Sequence, residues 1–277
     1  MRKKLSKLLY SAIVVSLALL LALALSGCKD TRSEIDDGDS AGETTGDTTP
    51  TVTESEPTQS TVIDEQEYKY VAFTFDDGPH DDFTKRVVDT LKEYGGHATF
   101  FVVGDRINDK SAETIKYAYE NGNEIGMHSF THTHYFDSCD DKTYDQEVKY
   151  TKNRLSSFAG VNATLLRPPG GLMSAERIAS SQYPVILWSV DSLDWRYKTA
   201  SSDEERAKNV QTIVDNVLSA VDDGDIILMH DIYENTYLAF RVIIKTLHEE
   251  GYRFVTVSEL LGDSIRSGAK FHSVTAN

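Results

Sequence analysis

Cysteine is nearly absent: the 277 residues include two, Cys28 and Cys139. So few thiols build neither a disulfide framework nor a cysteine-based zinc site, and Cys139 is expected to be a packed, idle residue. Long apolar runs are equally scarce. Only residues 12–25 are strongly apolar, and no second run reaches the roughly 18 residues that a membrane-spanning helix needs. Positive charge is the third shortage, with 28 Lys and Arg against 44 Asp and Glu and a formal net charge of −16. Nucleic acid is therefore not an expected partner, because phosphate contacts need basic patches.

The one apolar run has a specific setting. Arg2, Lys3, Lys4 and Lys7 precede it, and Ser26, Gly27 and Cys28 close it. A basic start, a short apolar core and small residues before a cut site are the features of an export signal. Leu25-Ser26-Gly27-Cys28 also resembles the bacterial lipobox, whose cysteine is lipidated and becomes the mature N-terminus. Residues 1–27 then read as a lipoprotein signal peptide and Cys28 as the lipidation site. A transmembrane anchor or a plainly cleaved signal is the alternative. Either lipoprotein or cleaved signal puts the remainder outside the cytoplasm, and the lipid would anchor it to the bacterial cell membrane. Residues 28–67 have almost no large apolar side chains and are mostly Thr, Ser, Gly, Pro, Asp and Glu. Such a segment cannot bury enough surface to offset its ordering entropy, so a disordered acidic linker is expected. About 40 residues of flexible coil reach roughly 35 Å, enough to hold a domain off the membrane.

Residues 68–277 read as a folded domain. Strand-like runs at 71–75, 98–103, 124–127, 164–167, 185–190, 226–229 and 254–257 alternate with helical patterns at 83–94, 111–121, 144–158, 175–180, 203–221 and 238–249. Thr143, ahead of a helix carrying Glu147, and Ser202, ahead of three acidic residues, read as helix starts. Alternation of this kind predicts an α/β fold with a parallel sheet covered by helices. Seven strand–helix units in about 195 residues are lean for an eightfold barrel, which usually takes about 250. A doubly wound open sheet is the runner-up. Both architectures collect functional residues at the C-terminal ends of the strands.

Those ends are where ionisable residues gather. The first strand runs into Asp76 and Asp77, followed by Gly78 and Pro79. Two adjacent carboxylates repel, so a metal, an arginine or water must lie beside them. The third strand is followed by His128 and His132, the fourth by Arg167 and Gly170, the fifth by Asp191, Asp194 and Trp195, and the sixth by His230 and Asp231. His128 and His132 have i, i+4 spacing, which on a helical turn puts both imidazoles on one face. Two histidines and a carboxylate suit zinc or another divalent ion with positions left open. His134 is the alternative partner, in a different register.

Five segments in order carry a family resemblance: TFDDGP at 74–79, HSFTH at 128–132, RPPGG at 167–171, DSLDW at 191–195 and LMH at 228–230. They resemble the motifs of the polysaccharide deacetylases of the NodB-homology type, carbohydrate esterase family 4. The resemblance covers residues 70–262 and implies a distorted (β/α) barrel of the glycoside hydrolase–deacetylase type. It implies Asp77, His128 and His132 as metal ligands, Asp76 as general base with Arg167 as its partner, and His230 as general acid supported by Asp194. It implies Gly170, Trp195 and Leu228 as substrate contacts, Gly170 through its backbone N–H. The family usually has an aromatic residue where this chain has Gly170, so one wall of the groove is expected to be missing. The implied function is a metal-dependent N-deacetylase, with Zn2+ expected and Co2+ or Ni2+ as alternatives. Its expected substrate is N-acetylglucosamine in cell-wall peptidoglycan, and a monomer is expected. Chitin-type oligosaccharide, exopolysaccharide and O-acetyl xylan are the alternative substrates. A non-catalytic glycan-binding lipoprotein is the alternative from another class, but binding alone needs neither base, acid nor ligands, and all are present.

Overall fold

The structure is a computed structural model that describes residues 68–133 and 136–273. The expected signal, lipidation site and linker, and His134, lie outside the described residues. Among the described residues no helix is long and apolar enough to cross a membrane.

β1 (Lys69–Asp76) is the axis of the fold, and its last six residues are all buried. A strand covered on both faces reads as a continuous apolar run rather than an alternating one. On one side β1 pairs in parallel with β6 (Ile226–His230), from Ala72 opposite Ile226 to Asp76 opposite His230. On its other side the upper half pairs with β2 (Thr99–Val102) and the lower half with β7 (Tyr252–Phe254). β3 (Glu124–Met127) extends the sheet beyond β2, and β5 (Val190–Asp191) extends it beyond β6.

The wall between β3 and β5 is thin. Met127 bridges to Leu166, and Leu166 bridges to Val185 of β4 (Val185–Ile186), which pairs with β8 (Lys270–Phe271). The fold is thus a distorted (β/α) barrel. The strand expected at 164–167 shrinks to the single bridging residue Leu166, because Pro168 and Pro169 have no N–H with which to continue a ladder. The strand expected at 185–190 splits in two. Ile186 and Leu187 turn their carbonyls to the Arg167 guanidinium, at 3.0 and 2.9 Å, instead of continuing the ladder. The run at 254–257 also divides. β7 ends at Phe254, and Thr256 caps the short helix α7 (Val257–Leu261) through reciprocal bonds with Glu259.

The other helices cover the sheet: α1 (Phe83–Glu93), α2 (Asp109–Glu120), α3 (Asp141–Arg154), α4 (Ala175–Ser180), α5 (Asp203–Leu218) and α6 (Glu234–Glu249). Ser202 caps α5 as expected, accepting from Glu205 N at 3.1 Å. Thr143 does not cap α3. Asp140 does, accepting from Thr143 N at 2.7 Å, so the helix begins three residues earlier than expected. The core lies between β1 and the helices α1 and α6, where Phe75 stacks on Phe100 at 5.2 Å and Phe73 meets Phe240 edge-on at 5.1 Å. Each fully buried ring of this kind stabilises the fold by about 1.5–3 kcal/mol.

Candidate active site

β1 ends in Asp76, a residue 3% exposed, and its Oδ1 accepts from Arg167 Nη1 at 2.8 Å. Arg167 is wholly buried. Its other bonds run to Thr74 Oγ1 at 2.7 Å and to the Ile186 and Leu187 carbonyls, and Phe101 lies 4.2 Å from its guanidinium. A buried cation is costly unless paired and hydrogen-bonded, and four acceptors meet that need. Burial still pulls the guanidinium below its ordinary range, with the Asp76 charge opposing it.

Asp77 leaves the strand with φ 70°, a left-handed conformation that turns its carboxylate toward the histidine loop. No side chain fits at the next position: a Cβ on Gly78 would lie 2.7 Å from Asp231 Oδ1. Asp231 itself is buried beneath the turn, hydrogen-bonded by Thr84, and burial pushes its carboxyl up to about 7.

His128 and His132 sit on a loop and not on a helical turn, which corrects the reading of their spacing. Ser129 (φ 60°) and His132 (φ 55°) take left-handed conformations, and His132 N donates to Ser129 Oγ at 3.0 Å. The tight curl brings the two rings to 5.1 Å. Glu147 clamps the loop from α3. It accepts from Phe130 N at 2.7 Å, Thr131 N at 2.8 Å and Thr131 Oγ1 at 2.8 Å, and it is buried. Sequence reading used Glu147 only as a helix marker.

Both imidazoles aim Nε2 at Asp77 Oδ1, from 3.0 Å for His132 and 3.6 Å for His128. Asp77 Oδ1 is buried and, among the described residues, has no hydrogen-bond partner in good geometry. His128 Nδ1 contacts the Arg167 carbonyl at 2.8 Å, which places the proton on Nδ1 and the lone pair on Nε2. Burial pushes His128 below its ordinary range, so it is neutral. Contact with Asp77 raises His132. Burial opposes ionisation of Asp77, but His132 and the nearby imidazoles outweigh it and hold the carboxylate well below its usual range. The three donor atoms lie within 4.8 Å of one another. An orphaned anionic oxygen, a neutral imidazole with its lone pair turned inward and a second imidazole fit a divalent metal ion.

The opposite side is built on β6 and the 3₁₀ turn Asp194–Arg196. Asp194 is fully buried and accepts from His230 N at 2.7 Å, Thr236 Oγ1 at 2.7 Å and His230 Nδ1 at 2.8 Å. Burial alone would lower the His230 pKa, yet the Asp194 charge and hydrogen bond carry it up to about 9. Thr236 and Thr74, like Glu147, were not legible as site residues, because each acts through another side chain. Leu228 is buried in β6, whereas Trp195 is 42% exposed at the mouth. Gly170 has φ 63°, nothing lies within 4 Å of the position its Cβ would take, and among the described residues its N–H has no hydrogen-bond acceptor. Asp191 turns back on its own loop and accepts from Leu193 N at 2.8 Å.

A parallel barrel with an Asp-His-His donor set and a charged Asp-Arg pair at its strand ends defines a hydrolase-type site. Residues 64–183 match the family described as Polysaccharide deacetylase, and the chain belongs to that family. It is 34% identical over 201 residues to a peptidoglycan-N-acetylglucosamine deacetylase of Bacillus cereus, covering 70% of this chain and 88% of that one. It is 38% identical over 204 residues to the peptidoglycan-N-acetylmuramic acid deacetylase PdaC of Bacillus subtilis, covering 74% of this chain. The chain spans only 41% of the length of that relative. A solved family 4 acetyl xylan esterase from Clostridium thermocellum, in complex with a cobalt ion, superposes with a TM-score of 0.66 at 30% identity, covering 75% of this chain and 100% of that one.

Proposed function

We propose that this chain is a metal-dependent N-deacetylase that removes the acetyl group from N-acetylglucosamine units of cell-wall peptidoglycan. One observation carries the reading: Asp76 and His230 stand opposite each other on adjacent strands, each with its own buried partner, beside the Asp77-His128-His132 donor set. Amide hydrolysis needs a base for the attacking water, relief of charge on the oxyanion and a proton for the departing amine. A divalent ion held by Asp77, His128 and His132 would supply Lewis-acid polarisation of the acetyl carbonyl and acidify water.

The chain's own residues do the rest. Asp76 takes the proton of the water on Oδ2, the oxygen that Arg167 leaves free, and Arg167 holds the carboxylate in place. The unspent Gly170 N–H donates to the oxyanion. His230, protonated at neutral pH, gives its proton to the sugar nitrogen, and Asp194 holds the ring in place throughout. Trp195 and Leu228 line the acetyl pocket. The products are acetate and the free amine.

Zinc is the proposed metal, with cobalt or nickel as substitutes, because its tetrahedral preference suits three N/O ligands and an open position. Residues 1–27 as a signal, Cys28 as the lipid anchor, 28–67 as the tether and 68–277 as the catalytic domain would place a monomeric enzyme against the cell wall. The test is acetate release by the zinc-loaded full chain from peptidoglycan, N-acetylglucosamine oligomers and acetylated xylan. Release from the N-acetylated glycans, stopped by a chelator, supports the reading. Release from xylan alone replaces it with an O-esterase, and no release from any of them overturns it.

A further inference from the structure

The segment 195–198 reads Trp-Arg-Tyr-Lys, a basic and aromatic stretch in a chain with a net charge of −16. It follows directly on Asp194, the partner of the general acid. Arg196 lies over the Trp195 ring at 4.8 Å, which stiffens the turn. The segment ends beside His230. The rings of His230 and Tyr233 are 6.2 Å apart, and Lys198 Nζ lies 5.2 Å from the centroid of that same Tyr233 ring. The ammonium and the imidazole that would protonate the leaving amine therefore both lie beside one phenol ring.

Lys198 is exposed, and among the described residues it forms no salt bridge. Two carboxylates act on it from a distance, Asp77 and Asp194. Both are engaged elsewhere: Asp194 by three hydrogen bonds from His230 and Thr236, Asp77 within the donor set. Glu234, next along the chain from Tyr233, is paired with Arg206. Contact with Tyr233 holds the ammonium above its ordinary range, so it is fully charged. A cation steadied on an aromatic ring and left without an anion at the rim of a site is arranged to receive one.

We propose that Lys198, held against Tyr233, binds a carboxylate carried by the sugar beside the acetamido group being cleaved. The preferred unit is then N-acetylglucosamine bearing a 3-O-lactyl group, the muramic acid unit, with its carboxylate free. The reason is geometric. The nitrogen leaving C2 must sit at His230, and a 3-O-lactyl ether starts from the adjacent ring carbon. Its carboxylate lies a few bonds further out, on the scale of the contacts that Tyr233 makes with His230 and Lys198. An unsubstituted sugar offers the ammonium nothing, and a lactyl group converted to an amide offers no charge.

The proposal rests on the deacetylase reading above, and the experiment separates the two. Defined glycan oligomers are prepared with the target unit carrying a lactyl carboxylate or a lactyl carboxamide. The zinc-loaded full chain is expected to prefer the carboxylate by about 5-fold in kcat/KM, mainly through KM, less at high salt. Lys198→Gln is expected to abolish that preference and Lys198→Arg to keep it. Equal rates on the two oligomers, or a preference that survives in Lys198→Gln, overturn the proposal. Calorimetric binding of the same oligomers to Asp76→Asn, with and without Lys198→Gln, makes the comparison without turnover. If no oligomer is ever deacetylated, the deacetylase reading fails, while tighter binding of the carboxylate oligomer only when Lys198 is present still supports the anion site.

Discussion

On the β6 side of the site, Asp194 accepts three hydrogen bonds, from His230 N, His230 Nδ1 and Thr236 Oγ1. On the β1 and β3 side, Asp77 Oδ1 is buried with no hydrogen bond, and two imidazoles converge on it. The backbone differs in the same sense. Of the four described non-glycine residues with positive φ, Asp77, Ser129 and His132 lie on the second side and Leu193 alone on the first. Each such conformation costs on the order of 1–2 kcal/mol and persists only where surrounding structure imposes it. The β6 side is therefore fully hydrogen-bonded on folding, whereas the β1 and β3 side holds backbone strain and a buried carboxylate oxygen faced by two imidazoles, an arrangement that suits a cation.

The largest expected effects break the donor side. His128→Ala should lose stoichiometric zinc, measured by elemental analysis, and nearly all activity with it. Asp76→Asn should keep its zinc yet lose on the order of 10²-fold or more in kcat, the scale of a missing general base. Zinc loss in Asp76→Asn, or full zinc in His128→Ala, would mean that the ligand and base roles are wrongly divided. Excess zinc should also stabilise the parent against unfolding, by about 4 kcal/mol at a thousandfold excess over Kd, and leave His128→Ala unmoved.

A smaller effect is expected at one remove. Glu147→Gln keeps the side-chain size but weakens the clamp on Phe130, Thr131 and hence the His128–His132 loop. Zinc affinity should fall about 10–100-fold, the usual scale for groups that orient ligands, and competition with a chelating dye would read it. Unaltered affinity would assign the clamp to folding alone.

The acid side should respond through pH rather than metal. The folded pKa of His230, about 9, lies above its ordinary 6.5. The protonated pair therefore stabilises the fold fully below pH 6.5, and that contribution is lost as pH rises through about 9. Activity that needs the protonated ring should have its alkaline limb near pH 9. In Asp194→Asn the limb should move toward neutral pH, with zinc content intact. A pH–rate profile identical to that of the parent would remove His230 as the acid. The smallest change is expected at Gly170→Ala. Space is open, but φ 63° is strained for any residue with a Cβ, so denaturant unfolding should show a loss of about 1 kcal/mol.

The amino-acid order by itself determined the alternation of strand and helix, the strand ends as the place of the candidate site, and the ionisable residues that gather there. Asp76, Asp77, His128, His132, Arg167, Asp194 and His230 were legible because their chemistry is carried by the residue itself, and strand endings are marked by local apolar runs. Residues that act through others were not. Glu147, Thr236 and Thr74 look like ordinary polar positions, since a hydrogen bond across 17 residues for Phe130 and Glu147, or 93 for Thr74 and Arg167, leaves no local pattern. Tertiary structure alone decided the broken wall at Leu166 and β4, where an apolar run of strand character gives up its ladder to hold Arg167. It also turned an i, i+4 histidine pair from an assumed helical face into a left-handed loop. The physical reason is the same in each case. Local propensity is worth tenths of a kcal/mol per residue, whereas leaving a buried guanidinium or carboxylate unpartnered costs several, so the long-range partner prevails.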